Sequence, residues 1–184
     1  MARYPTLVQI AWDAVDAFLG DWQKLPLKWG NEVDVQAELA SRLDQAYRLI
    51  GKDLVYGNYP KIEKHLKDKQ VYRRVMCEPK MVLRNGRRAY PDIVVWEDIG
   101  DIDRPPDVDG ARNWPVLWAC EIKYRYSGGE DEDIGKLSRF VRQGDFKYGC
   151  WLHLSTAKAK SGKGISCDRV LRGDRLWKYE ARLP

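Results

Sequence analysis

The sequence predicts an α/β fold in which a mixed sheet is flanked by helices. Two long segments near the N-terminus, 5–22 and 31–50, carry apolar residues at helical spacing. Further along, the short apolar runs 90–96 and 116–124 are typical of buried strands. A helical pattern at 131–143 then separates the second run from another strand-like run. Helices alternating with strands in this way favour an α/β architecture.

The chain up to about residue 68 is predicted to be mainly helical. Asn31 is a suitable N-cap for the helix 31–50, and Gly51 is a suitable stop. A short basic helix is expected at about 60–68. The stripe of 31–50 that we expect to be buried consists of Val35, Leu39, Leu43 and Ala46.

Strands follow. Val71–Leu83 reads as a single strand that Pro79 interrupts, which indicates a bulge or an edge position. The Asn-Gly pair at 85–86 predicts a tight hairpin turn that leads into the strand of Asp92. An acidic, proline-containing insertion, 97–115, separates this strand from the next.

The C-terminal part alternates again. An acidic run, Glu130–Asp133, suits the start of the helix 131–143, because negative charge stabilises a helix N-terminus. Tyr148–Leu154 is predicted to be a strand, Thr156–Gly164 a loop and Val170–Arg182 a β-hairpin. We see no repeat and no second domain, so the whole chain of 184 residues is expected to form one domain.

Composition limits the classes of protein. Charged residues make up 32% of the chain and hydrophobic residues 44%, which is typical of a soluble globular domain. A net charge of +5 is compatible with a polyanionic partner. The apolar segment Thr6–Trp22 is too short and too charged to span a bilayer, so no membrane association is expected. The four cysteines form no C-x-x-C pair, and reduced thiols in a cytoplasmic protein explain them most simply.

The chemistry concentrates on two of the predicted strands. Because side chains alternate along a strand, Glu121 and Lys123 point to the same side. If the strand of Asp92 lies beside theirs, two carboxylates and an ammonium group converge. Hard divalent cations prefer such carboxylate oxygens. A phosphodiester that is to be cleaved requires a metal and benefits from a nearby lysine.

The order Pro91-Asp92 and then Glu121-x-Lys123 resembles the motif of the PD-(D/E)xK nuclease superfamily, the restriction-endonuclease-like fold. The predicted element order over about 31–155 is similar to its αβββαβ core. The N-terminal helix and the C-terminal hairpin would be additions to that core.

The resemblance implies a metal-dependent nuclease, most simply an endonuclease, that hydrolyses DNA with Mg²⁺, for which Mn²⁺ can substitute. Asp92 and Glu121 would bind the metal, and Lys123 would assist the attacking water or stabilise charge on the phosphate. Many members add a glutamate from the first core helix. Glu32 is preferred for this role because it shares the buried stripe, whereas Glu38 lies about 120° around the helix.

Each of these residues also has a purely structural interpretation. Asp92 could belong to a turn after Pro91. Glu121 and Lys123 could form an ion pair at a strand end, and Glu32 could only complement the helix dipole.

Basic residues could follow a nucleic-acid backbone, although a solvated basic surface also explains most of them. DNA is the expected partner, RNA remains open, and a homodimer would allow both strands to be cut. The candidates are Arg88, Lys136, Arg139, Lys158 and Lys160.

Two other functions compete with the nuclease. One is a nucleic-acid-binding module on the same fold that has lost catalysis. The other is a protein-interaction domain, in which Asp92 and Glu121 would be far apart or held in salt bridges.

Overall fold

Three α-helices occur in the described part of the chain. The computed structural model describes residues 6–26, 28–57, 70–79, 81–82, 88–98, 111–112, 115–125, 130–158, 164–170 and 175–183. The helices are α1 (Leu7–Lys24), α2 (Glu32–Leu49) and α3 (Glu130–Gln143). The predicted cap of α2 is confirmed, since the Asn31 side chain accepts a hydrogen bond from the Asp34 N–H at 2.9 Å. Gly51 follows in the left-handed conformation, with φ +67°, that a glycine stop provides.

The described strands are β1 (Leu54–Gly57), β2 (Gln70–Arg73), β3 (Val75–Cys77), β4 (Met81–Val82), β5 (Arg88–Ala89), β6 (Ile93–Trp96), β7 (Ala111–Arg112), β8 (Val116–Tyr124), β9 (Phe146–Lys158), β10 (Ile165–Arg169) and β11 (Leu176–Leu183).

Six of these strands form a mixed, open sheet against which the helices pack. Its order is β10-β11-β9-β8-β6-β3. The pairs β8–β9 and β9–β11 are parallel, and the other pairs of this sheet are antiparallel. The remaining strands form a two-stranded sheet, β1-β2, and a three-stranded sheet, β5-β4-β7.

The helices lie on both faces of the six-stranded sheet. Ile93 and Val95 of β6 pack into one apolar cluster with α1 and α2. Val94 and Ala119 pack into a second cluster with Leu137 of α3. Alternation along the strands thus buries both faces, as the apolar runs in the sequence predicted. The predicted α/β class with a mixed sheet and flanking helices is confirmed. None of the helices described is long and apolar enough to cross a membrane.

The prediction of a single strand over Val71–Leu83 is wrong. The segment is divided among three sheets, because β2 pairs with β1, β3 with β6, and β4 with β5 and β7. Arg74 separates β2 from β3, and its side chain turns into the protein there and is fully buried. Glu78, with φ +45°, and Pro79 end β3. A buried cation and a residue with a left-handed backbone interrupt the strand at these two points. The spacing of apolar residues does not predict either feature.

The C-terminal hairpin is present, but its bounds differ from the prediction. Its first strand, β10, precedes Val170, and β9 continues through the start of the loop that was expected at 156–164. β11 also pairs in parallel with β9 along its length. The hairpin therefore widens the central sheet. The predicted basic helix at 60–68, the turn at 85–86 and most of the acidic insertion lie outside the described residues.

Candidate functional site

Asp92 and Glu121 lie opposite each other where β6 and β8 meet. The two strands are antiparallel with Ile93 paired to Cys120. One residue further along this register, Asp92 stands against Glu121. Paired residues in such a ladder point to the same face of the sheet, and here it is the face covered by α3. Only 5% of Glu121 is exposed, so its carboxylate lies almost entirely within the protein.

The Asp92 position is fixed by hydrogen bonds from three elements. Its carboxylate Oδ2 accepts from the backbone N–H of Ile122 at 2.5 Å. Its backbone carbonyl accepts from the Gln36 side chain of α2 at 2.6 Å and from the Glu78 N–H at 3.0 Å. A merely local turn would not need partners on α2 and on two strands. Asp92 is therefore anchored within the sheet.

Glu32 reaches the same end of β8 from the N-terminus of α2. Its Oε2 accepts a hydrogen bond from the Tyr124 N–H at 3.3 Å. Its charge raises the pKa of Asp92 and that of Lys123, which shows that the three groups are close. Glu38 instead pairs with Arg42 at 2.8 Å on the same helix. Of the two helix acids considered, the structure brings Glu32 to the site.

The first two turns of α3 supply partners for both charged residues of the Glu-x-Lys pair. The Lys123 ammonium lies 3.2 Å from Oδ2 of Asp133. The Lys136 ammonium lies 3.4 Å from Oε1 of Glu121. The structural interpretation in which Glu121 pairs with Lys123 is thus replaced by two separate ion pairs to α3.

The electrostatics of the site raise the pKa values of both carboxyl groups. Burial raises the pKa of Glu121 to about 7, with a further contribution from Asp92 that the Lys136 ammonium opposes. Burial also raises the pKa of Asp92 to about 6; Glu32 adds to this, and the Ile122 N–H and Lys123 oppose it. Two carboxyl groups that disfavour each other's ionisation are typical of functional sites.

The pKa of Lys123 is shifted upward, which keeps its side chain charged. Burial alone would lower the pKa of its ammonium group. The hydrogen bond and the charge of Asp133 outweigh that cost, so the pKa of Lys123 is raised. The residue is therefore a permanent cation at neutral pH, suited to stabilising negative charge rather than to accepting a proton.

The donor set suits a hard divalent cation. Within the described ranges, no three His, Cys, Asp or Glu side chains are grouped so as to hold a metal ion. Mg²⁺ does not require such a group, because it commonly uses one or two carboxylates together with water and substrate phosphates. Asp92 and Glu121 provide two neighbouring carboxylates, so the residues fit the ion that the motif implies.

The predicted basic residues are scattered. Arg88 is exposed on β5, in the three-stranded sheet, and Arg139 is exposed on α3. Lys136, predicted as a nucleic-acid contact, pairs with Glu121. Lys158 ends β9, and Lys160 lies outside the described residues. The described part therefore places Lys136 at the carboxylate pair and Arg139 on the same helix.

Sequence reasoning missed Asp133 as a partner of Lys123. The acidic run Glu130–Asp133 was interpreted only as a complement to the helix dipole. A signal did exist: Asp133 and Lys136 are three residues apart, so they share a helix face. The helix also follows β8 directly and leads into its parallel neighbour β9, which brings its start near the end of β8.

Comparisons with protein-family models, with curated proteins and with solved structures find no match to this chain.

Proposed function

We propose that this protein is a metal-dependent nuclease that hydrolyses DNA phosphodiester bonds at the Asp92–Glu121 site. The observation that carries the proposal is the juxtaposition of a buried carboxylate, Glu121, with a half-buried, anchored one, Asp92, and a permanent cation two residues from Glu121 on the same strand. Asp92 and Glu121 face to face would destabilise a purely structural core, because burial raises the free energy of their ionised forms. A divalent cation offsets that cost.

Each residue has a role in this proposal. Asp92 and Glu121 hold Mg²⁺, which when bound supplies positive charge to the phosphate and activates a water molecule. Lys123 stabilises the charge that develops on the phosphate oxygens. Glu32 adds negative charge and orients the end of β8 through the Tyr124 N–H.

The chain topology supports a restriction-endonuclease-like core. In chain order, α2 is followed by β3, β6 and β8, which are neighbours in the sheet, and then by α3 and β9. β9 runs parallel to β8, and the earlier pairs are antiparallel. This order agrees with the αβββαβ core that the motif implies when β1, β2 and the short three-stranded sheet are taken as insertions between its elements. α1 and the β10–β11 pair extend it.

A catalytically silent nucleic-acid-binding module is the second candidate, and one observation favours it. Glu121 and Lys123 are each already held in an ion pair with α3. Such pairs could be the final state of a site that has lost catalysis. In that case the fold would bind nucleic acid through its basic surface alone.

Cleavage of plasmid and single-stranded DNA with Mg²⁺ or Mn²⁺ tests the proposal. Wild type is compared with Glu121→Ala, Lys123→Ala and Asp92→Asn, and Glu38→Gln serves as a matched control on α2. We expect metal-dependent cleavage by wild type and by the control, and a loss of about 10²-fold or more in each site variant.

Other results decide between the candidates. DNA binding without cleavage in wild type would establish the silent module. Absence of both would overturn the nucleic-acid proposals and leave the protein-interaction domain. Cleavage that survives in all three site variants would place the activity elsewhere.

A further inference from the structure

Lys136 is a cation that the Glu-x-Lys motif does not include. It projects from α3, and its ammonium lies 3.4 Å from Oε1 of Glu121. This is the carboxylate that would bind the metal ion in the proposed nuclease. Among the described residues, the cation paired with Glu121 is thus a lysine from the neighbouring helix.

The two lysines of the site are held differently. Lys123 lies on the central strand β8, is 29% exposed and has its partner Asp133 at 3.2 Å. Lys136 is on a surface helix, is 37% exposed, and contacts its partner at a longer distance. The backbone of Glu121 is fixed, because β9 pairs with β8 from Val116 to Tyr124 and β6 pairs with it up to Cys120. If a second cation enters, Lys136 is the group that can move.

We infer that Lys136 is the resident counterion of Glu121, which a divalent metal ion must displace from the carboxylate in order to bind. The inference rests on the proposed function, because it takes Glu121 as a metal ligand. Lys136 then sets the metal affinity of the site without being a ligand. A tethered ammonium has the right charge and reach for this role, since its four-carbon stem lets it swing into solvent.

The charge balance of the site agrees with an exchange of this kind. Among the described residues, the carboxylates of Asp92, Glu121, Glu32 and Asp133 face the ammonium groups of Lys123 and Lys136. Acid therefore outnumbers base at the site. A divalent ion that replaces one ammonium at Glu121 brings the local charge closer to neutrality, so the displaced lysine is not required for balance.

Direct Mn²⁺ binding, measured without nucleic acid, tests the inference. The electron paramagnetic resonance signal of free Mn²⁺ is titrated with wild type, Lys136→Met and Glu121→Gln at pH 7.5. Arg142→Met, an exposed charge removal on the same helix, controls for the change in net charge. We expect Lys136→Met to bind Mn²⁺ about two- to fivefold more tightly than Arg142→Met, the range of a partly exposed ion pair.

A conservative variant separates competition from a structural role. Lys136→Arg keeps the charge and should bind Mn²⁺ within about twofold of wild type. Lys136→Gln provides a second neutral variant, with circular dichroism as the check on folding, in case Lys136→Met does not fold. Equal tightening by Lys136→Arg and Lys136→Met would mean that charge is not what competes, which would overturn the inference.

The remaining outcomes distinguish a failure of the Lys136 inference from a failure of the proposed metal site. If wild type binds Mn²⁺, Glu121→Gln does not, and Lys136→Met matches Arg142→Met, the inference is wrong and the metal site stands. If wild type binds no Mn²⁺ at millimolar concentration, both the metal site and the inference are wrong.

Discussion

Arg74 and Glu121 are both buried charged residues next to β6, yet their surroundings differ in kind. The Arg74 guanidinium donates to the carbonyls of Lys52 and Trp96 at 2.5 and 2.7 Å, and to the Asp98 carboxylate at 2.6 Å. Glu121 has one ammonium at 3.4 Å and a second carboxylate facing it. The Arg74 guanidinium has a hydrogen-bond acceptor at each of its nitrogens, whereas one ammonium group compensates the Glu121 carboxylate only in part.

This contrast separates a structural charge from a site. A buried group whose hydrogen-bonding capacity is filled by backbone carbonyls joins segments and has no capacity for a ligand. Arg74 joins the start of β1, the end of β6 and the junction between β2 and β3 in this way. A buried carboxylate with a like charge opposite it destabilises the fold unless something else binds there. The two residues should therefore respond to neutralisation with opposite signs.

The largest effect is expected for Arg74→Met. The change leaves buried carbonyls without their donor, so we expect the free energy of unfolding to fall by about 3–5 kcal/mol. Urea denaturation at pH 7 measures it. Arg48→Met is the control, since Arg48 is 65% exposed and pairs with Asp44 on the surface of α2. That control should change stability by at most about 0.5 kcal/mol. Equal losses in both variants would remove the distinction between the buried and the exposed arginine.

Glu121→Gln should have the opposite sign. The pKa of Glu121 is raised to about 7 by burial and by Asp92, so the folded protein holds a proton that the unfolded chain has already lost. Stability therefore falls as pH rises from about 4.5 to 7 and stays low above that range. We expect the variant to be more stable than wild type by about 1–3 kcal/mol at pH 8, with little difference below pH about 4.5.

Unfolding in urea across this pH range, in the presence of a chelator, checks the expectation. Glu38→Gln is a matched control, because Glu38 is a partly exposed glutamate paired with Arg42. It should show no gain at pH 8. If Glu121→Gln is instead less stable at pH 8, the bond to Lys136 contributes more than burial costs. Glu121 would then be a structural charge like Arg74.

Much of the fold could be predicted because it depends on patterns that are local in sequence. The Asn31 cap, the Gly51 stop and the helix at 130–143 follow from side-chain chemistry within a few residues. The division of Val71–Leu83 could not be predicted, since it depends on where the Arg74 side chain finds its acceptors. Those acceptors lie more than 20 residues away in either direction.

The same limit applies to the site. Strand alternation placed Glu121 and Lys123 on one face, and the structure sets Asp92 opposite Glu121 on that face. Their partners on α3 depend on how the helix crosses the sheet, which a spacing of residues does not fix. Glu32 and Glu38 were likewise distinguishable only by helix angle, and the contact from the Tyr124 N–H brings Glu32 to the strand end.

The smallest effect is expected for Asp133→Asn, which tests whether the Lys123 pair resembles the Arg74 cluster. Both partners keep some exposure, 29% for Lys123 and 16% for Asp133, so solvent replaces much of the lost interaction. We expect a loss of about 0.5–1 kcal/mol in the free energy of unfolding. Because Asp133 raises the pKa of Lys123, this contribution is present at neutral pH and is lost as the pH rises above about 10.5. Urea denaturation measures the loss, and side-chain NMR titration of Lys123 should show a lower pKa in the variant.

The control is Asp131→Asn, which changes an exposed acid in the same first turn and removes the same helix-dipole interaction without touching Lys123. A larger loss in Asp133→Asn, comparable to that of Arg74→Met, would assign Lys123 to the framework rather than to the chemistry.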